Sequence, residues 1–245
     1  MKIDCIADLH GNYPDLEGGD LLIVAGDLTA RHTDGEFLEF CEWLDNQRYT
    51  EVIVIAGNHD TMLFKKDTET IVDTLKPYKY LCDSGTEIQW SEPTLTKDGL
   101  EHAPSNYSFA NKKLKIWGSP WTPQFPNMNP HCMAFTRPYM QSLKDRWDLI
   151  PDDTDILITH GPPNGILDKV KRDYNASVGD MDLLRAVKDR IRPKLHVFGH
   201  IHEGYGQFIL KHWPLEEYVP DTRFVNCSIM DENYEPVNAP IRIIL

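Results

Sequence analysis

The run Glu51-Val52-Ile53-Val54-Ile55-Ala56 stops abruptly in Gly57-Asn58-His59-Asp60. An apolar, β-branched stretch that ends in a glycine and three polar residues reads as a buried strand delivering side chains to its C-terminal edge. In open α/β sheets that edge is where ligands sit. Four other runs end the same way. Ile3-Asp4-Cys5-Ile6-Ala7 leads into Asp8-Leu9-His10, and Leu21-Leu22-Ile23-Val24-Ala25 leads into Gly26-Asp27. Asp155-Ile156-Leu157-Ile158-Thr159 leads into His160-Gly161, and Leu195-His196-Val197-Phe198 into Gly199-His200-Ile201-His202. Parallel strands carried to one edge would gather these Asp, Asn and His side chains into one cluster.

Between these runs the chain alternates with helical patterns. The polar link Gly11 to Asp20 is too short for an ordinary crossover helix. Asp34 to Gln47 places Phe37, Phe40, Cys41 and Leu44 at helical spacing, with Thr33 or Asp34 as cap. The patterns predict further helices over Thr61 to Leu75, Met133 to Trp147 and Asp180 to Ile191, the last closed by Pro193. Residues 80 to 118 alternate apolar and polar side chains, as antiparallel half-exposed strands do. Ser119 to Asn127 is rich in proline and aromatic residues and reads as an ordered surface loop. The pieces Gln207 to Leu210, Arg223 to Cys227 and Ile241 to Leu245 read as closing strands. No linker or repeat divides residues 1–245, so one α/β domain is expected.

Composition narrows the function classes. The net charge of −13 disfavours an extended nucleic-acid or anionic-membrane surface. Five scattered cysteines without a C-x-x-C pair fit a reduced compartment. The strand-like start at Met1 leaves no room for a signal peptide, and no apolar run is long enough for a bilayer. The expectation is a cytoplasmic protein acting on a small partner.

As ligands, the cluster offers carboxylates, one amide and several imidazoles, with no thiolate. Mixed oxygen and nitrogen donors suit Mn, Fe, Co or Zn rather than a soft-metal or all-oxygen site. Seven donor residues exceed what one ion needs, so two ions sharing a carboxylate is the economical solution. Taken singly each element has a plainer reading. Asp8-Leu9-His10 could cap a helix, Gly26-Asp27 could be a turn, and His160 a loop histidine. His200 and His202 would face opposite sides of a regular strand unless the glycine bends it. Five strand ends of the same kind argue against coincidence.

In this order, Asp-x-His, Gly-Asp, Gly-Asn-His-Asp, His-Gly and Gly-His-x-His resemble the motifs of the calcineurin-like metallophosphoesterase superfamily. Thr159-His160-Gly161-Pro162-Pro163, the run His196 to Gly206 and Phe224-Val225-Asn226-Cys227-Ser228 resemble its metallophosphoesterase-domain-containing subgroup of phosphodiesterases. The resemblance implies an αββα sandwich of two mixed β-sheets flanked by helices, with a dinuclear site at the strand C-terminal ends. It assigns Asp8, His10, Asp27 and His202 to one metal, and Asp27, Asn58, His160 and His200 to the other. Asn58 and His59 would contact substrate, with His59 protonating the leaving oxygen and Asp60 orienting it and raising its basicity. The ions implied are two divalent cations, Mn first, with Fe, Zn, Co, Ni or Mg as alternatives.

The implied activity is hydrolysis of a small phosphodiester, cyclic nucleotides included, by a metal-bridging hydroxide. A phosphomonoesterase or protein phosphatase, and a non-catalytic metal-bound scaffold, are the alternatives. Outside the motifs, Arg31 or His32 could touch phosphate, although Arg31 reads better as a solvated loop charge. Trp121 and Phe125 could stack on a base, although packed loop anchors are the better reading. His102, His131 and His212 carry no role, and His196 reads as a satisfied structural histidine.

Overall fold

A computed structural model describes residues 1–95, 107–125, 131–138, 140–171, 176–211 and 221–245. Pro126, Asn127, His102 and His212 of the readings above lie outside the described residues, as does Tyr139 within the helix expected over Met133 to Trp147.

The first sheet forms from β1 (Lys2–Ile6), β2 (Gly19–Ala25), β3 (Tyr49–Ile55), after helix α1 (Asp34–Asp45), and β4 (Lys79–Tyr80), after helices α2 (Thr61–Lys65) and α3 (Thr68–Leu75). These four strands run parallel. The second sheet begins with β5 (Ser84–Leu95) and β6 (Tyr107–Ser119), an antiparallel pair. A short ribbon of β7 (Thr122–Pro123) and β8 (Thr136–Arg137) and helix α4 (Lys144–Trp147) lead to β9 (Ile156–Thr159). A second ribbon, β10 (Lys169–Val170) and β11 (Ala176–Ser177), precedes helix α5 (Met181–Arg185), β12 (Leu195–Phe198), β13 (Gly206–Leu210), β14 (Thr222–Asn226) and β15 (Ile241–Ile244). The strand orders are β15-β1-β2-β3-β4 and β13-β14-β12-β9-β6-β5.

Strand alternation explains the layering. Ile3, Cys5, Leu21, Ile23, Ile53 and Ile55 point inward against Ile116, Ile156, Ile158, Leu195, Val197 and Val225 of the other sheet. Their neighbours Leu22, Val24 and Val54 point outward onto Phe37, Phe40 and Leu44 of α1 and Ile71 and Leu75 of α3. On the far side, Leu157, Phe198 and Phe224 meet Trp147, Leu183, Val187 and Ile191. The result is the expected α/β sandwich of two mixed sheets with helices on both outer faces. Among the described residues, no helix is long and apolar enough to cross a membrane.

Thr33 caps α1 through a full capping box with Glu36. Three helix expectations need correction. Thr61 to Leu75 is two helices, because Lys66 turns extended and Asp67 starts α3 by accepting from the Thr70 N–H at 2.8 Å. Met133 to Trp147 is helical only at its end. Phe135 and Met140 take left-handed φ of 48° and 67°, which a helix excludes, and Thr136–Arg137 pairs with Thr122–Pro123 instead. That pairing also gives the proline-rich loop one short strand. Asp180 to Ile191 starts as expected at its Asp180 cap but widens to a π-type turn over Ala186–Ile191, ending in left-handed Arg192.

Candidate metal centre

The strand ends deliver their side chains to a single point because the loops are zipped across the sandwich. After β1, Ala7 N–H donates to the Cys227 carbonyl of the second sheet, and Asp8 N–H to the Gly26 carbonyl of the first. After β9, His160 Nδ1–H donates to the Ala25 carbonyl at 3.0 Å, so an imidazole of one sheet is oriented by backbone of the other. After β12, the His200 N–H donates to the Asp8 carboxylate at 2.8 Å. His59 N–H donates to Asp27 Oδ1 at 2.7 Å.

The joint is tight enough to demand glycine. A Cβ on Gly199 would lie 2.5 Å from Asp8 Oδ2, and one on Gly57 would collide with Asp27 Oδ1. Asp8, His10, Asp27, His32 and His200 all take left-handed φ between 43° and 68°. Non-glycine residues accept that cost of roughly 1–3 kcal/mol each where the surroundings over-determine it, commonly at functional sites. The turn at Gly199 and His200 is the bend that brings His200 and His202 to the same centre.

Three groups of donor atoms meet there, each spanning no more than 4.8 Å: Asp8, His10 and His202; His10, Asp27 and His59; and Asp27, His160 and His200. Asp27 Oδ2 lies 3.7 Å from His10 Nε2 and 3.4 Å from His160 Nε2. Asn58 Oδ1 adds an oxygen 2.9 Å from His160 Nε2. Asp8, Asp27 and His160 are essentially shut off from solvent, and His10, Asn58 and His202 nearly so.

The site's chemistry favours cations. Among the described residues, His10 Nε2 and His200 Nε2 are buried with no hydrogen-bond partner, an arrangement that an ion would satisfy. His202 Nδ1–H donates to the Asp231 carbonyl at 2.9 Å, leaving Nε2 as the donor atom, as outer partners of metal-bound imidazoles do. Burial pulls the His10 imidazole down to about 3, ready to ligate as the neutral ring. Burial also acts to lower His160, but the Asp27 carboxylate and its hydrogen bond outweigh it and hold the ring up at about 9. That proton sits among acceptors where an ion would replace it. Asp8 is raised by burial, whereas the surrounding imidazoles overcome burial at Asp27 and lower it. Nitrogen and oxygen donors without a thiolate fit borderline divalent ions, and the residues present fit two of them sharing Asp27.

Asp60 does not touch the His59 ring. Its carboxylate accepts from the N–H groups of Gly57, Leu28 and Thr29 and from the Thr29 hydroxyl, which uses it fully on the loops after β2 and β3. The basicity expected from a pairing is absent as well, since burial lowers His59. Burial raises Asp60 to about 7. Asp60 therefore positions His59 through the backbone, and the ring's own neighbours are others. His10 meets it edge-on at 4.5 Å, His32 stacks on it at 5.5 Å, and Cys132 Sγ lies 3.4 Å from its Nδ1.

A cleft of about 290 Å³ opens over this centre, bounded by Asn58, His59, Phe125, Glu203, Glu232 and Tyr234 among others. Phe125 stacks on His200 with ring centroids 5.4 Å apart, so it reaches the site. Trp121 does not line the cleft. Its Nε1–H donates to Asp83 and the Arg146 guanidinium lies 4.3 Å over its ring, which makes it the packed anchor of the plainer reading. The Arg31 side chain is exposed outside the cleft lining, while its N–H donates to Glu36. His196 is buried against Phe198 and Phe224, its Nε2 2.9 Å from the Thr159 hydroxyl, and burial lowers it to about 3. Tyr234, Cys132 and the contact made by His32 have no periodic or motif signal in the sequence. Tyr234 packs on His10 and His202 at 5.0 and 4.9 Å from a turn built on Asp231.

Residues 1–204 match the family model described as calcineurin-like phosphoesterase. The chain is 37% identical to metallophosphoesterase domain-containing protein 1 of Homo sapiens, across 98% of this chain and 70% of that protein. It is 35% identical to UPF0046 protein T07D4.2 of Caenorhabditis elegans, across 98% of this chain and 59% of that one. One solved structure superposes with a TM-score of 0.53 at 13% identity, covering 92% of this chain and 89% of its own, a likeness of fold.

Proposed function

The chain belongs to the calcineurin-like phosphoesterase family, a family of phosphoric ester hydrolases, and from that membership we propose that it is a dinuclear-metal-dependent phosphodiesterase acting on a small substrate of the nucleotide class. The observation that carries the reading is the Asp27 carboxylate, whose Oδ2 lies 3.7 Å from His10 Nε2 on one side and 3.4 Å from His160 Nε2 on the other. Asp8, His10, Asp27 and His202 would hold one ion, and Asp27, Asn58, His160 and His200 the other, with Mn first among divalent ions. Bound there, such ions supply Lewis acidity to a phosphoryl group and a water nucleophilic at neutral pH.

The chain's own groups do the rest. Burial disfavours the charged form of His59 in the free protein, whereas an anionic phosphoryl group beside it favours the imidazolium; the ring takes a proton from solvent and donates it to the leaving oxygen. His32 and Cys132 hold the plane of that ring, and Asp60 fixes the loop beneath it. Asn58 Nδ2 donates to the Cys132 carbonyl at 3.2 Å, which turns Oδ1 toward His160. In the cleft wall, where Lys171 pairs with Glu232, the Glu203 carboxylate favours a singly charged diester over a doubly charged monoester. Phe125 and Tyr234 offer rings on which a base can stack.

The test is hydrolysis of bis-p-nitrophenyl phosphate and of p-nitrophenyl phosphate by metal-stripped protein with Mn restored. The diester should be the better substrate, and His59→Ala should lower kcat by about 10²–10⁴-fold with metal content retained. Preference for the monoester, or unchanged turnover in the variant, contradicts the proposal.

A further inference from the structure

His59 belongs to a second constellation on its other side. One donor atom each from His32, His59 and Cys132 lies within 4.8 Å of the others. Cys132 Sγ is 3.4 Å from His59 Nδ1 and 3.8 Å from His32 Nε2. A tetrahedral ion with zinc-like bonds to sulfur and nitrogen places those donors about 3.5 Å apart. The observed spacings bracket that value.

The outer contacts are those of a ligand set as well. His32 Nδ1–H donates to the His59 carbonyl, which fixes the tautomer and leaves Nε2 facing the sulfur. His32 reaches this place from a left-handed φ of 61°, two residues beyond Ala30 in the loop that carries Asp27. The Cys132 carbonyl accepts from Asn58 Nδ2, and Ala134 N–H donates to the Asn58 carbonyl, so the cysteine segment is strapped to the Gly57–Asp60 turn. His59 and Cys132 both line the cleft, which leaves a fourth coordination position on the open side.

We infer that His32, His59 and Cys132 form a separate binding site for a thiophilic, zinc-class divalent cation, and that its occupation withdraws His59 from catalysis. A thiolate with two imidazoles selects zinc-class ions, whereas the oxygen-rich centre beside it suits Mn. On binding, the Cys132 thiol gives its proton to solvent and the sulfur and two ring nitrogens coordinate the ion. Withdrawal of His59 rests on the function proposed above; the site itself does not.

The test reads the metal directly. Metal-stripped protein loaded with Co²⁺ should show a near-ultraviolet thiolate-to-cobalt charge-transfer band that Cys132→Ser loses and His32→Gln weakens. Zn²⁺ added to Mn-loaded protein should bind with one ion more per chain in the wild type than in Cys132→Ser, and should block alkylation of Cys132. It should also suppress diester hydrolysis in the wild type more strongly than in Cys132→Ser. A band absent from the wild type or unchanged in both variants, with equal zinc uptake, overturns the site. Band and uptake as stated with hydrolysis unaffected by zinc overturn the withdrawal of His59. If no ester is hydrolysed under any metal, the phosphodiesterase reading fails while the cobalt band still decides the site.

Discussion

The two sheets contribute differently to the centre. The first supplies the oxygen donors, Asp8, Asp27 and Asn58, together with His10 and His59. Among the described residues, the second supplies imidazoles alone, His160, His200 and His202. The half that carries the carboxylates and the half that carries imidazoles alone are each incomplete, and neither sheet brings enough donors for two ions. What joins them is a seam of cross-sheet contacts: the His160 ring on the Ala25 carbonyl, the His200 N–H on Asp8, and the close approach at Gly199. The lesson is that the centre belongs to the sandwich interface, so packing errors between sheets should read out as lost metal.

The most severe way to break the comparison is to remove Asp27, the residue common to the two proposed ligand sets. Asp27→Ala should lose both ions, whereas His202→Ala should weaken one, each by more than the roughly 10–100-fold that follows loss of an outer-shell partner. Metal content after desalting separates the two. If both variants lose equal amounts, Asp27 is not the bridge.

A subtler break leaves every donor in place. Gly199→Ala adds a methyl from the second sheet against Asp8 and Ala7 of the first, a contact at 2.5 Å. Overpacking of this kind costs about 1–3 kcal/mol. Metal affinity should fall along with thermal stability. Gly35→Ala, where the nearest atom is 3.9 Å away, is the control and should leave metal binding unchanged.

The charge asymmetry also predicts a proton count. In the metal-free protein His160 is held up at about 9 by Asp27, so it is protonated at pH 7, and Asp8 is raised by burial among the same groups. An ion must displace that proton. Mn uptake at pH 7 should release about one proton or more per chain, and affinity should rise with pH until about 9. Calorimetry in buffers of different ionisation enthalpy measures the release; uptake of protons would reverse the sign and refute the assignment.

Much of the centre was legible in the sequence because each strand that carries a donor is a short apolar run with an abrupt polar end. Asp8, Asp27, Asn58, His160 and His200 all sit within two residues of such an end, and the structure brings them together. Asp60 was misread for a physical reason: an aspartate beside a histidine in sequence can spend its carboxylate on backbone N–H groups, and three such donors surround it. The helix patterns misled where one residue interrupts a periodic face, at Lys66 and at Phe135. Cys132, Tyr234 and the ring contact of His32 were illegible because they come from loops whose paths are set by distant contacts.

The most direct test of the account is electron paramagnetic resonance of metal-stripped protein titrated with Mn²⁺. Two ions sharing Asp27 should give the exchange-coupled spectrum of a Mn pair at full loading, and His160→Ala should convert it to an isolated-ion signal. A wild-type spectrum that stays that of isolated ions at every loading would contradict a centre built jointly by the two sheets.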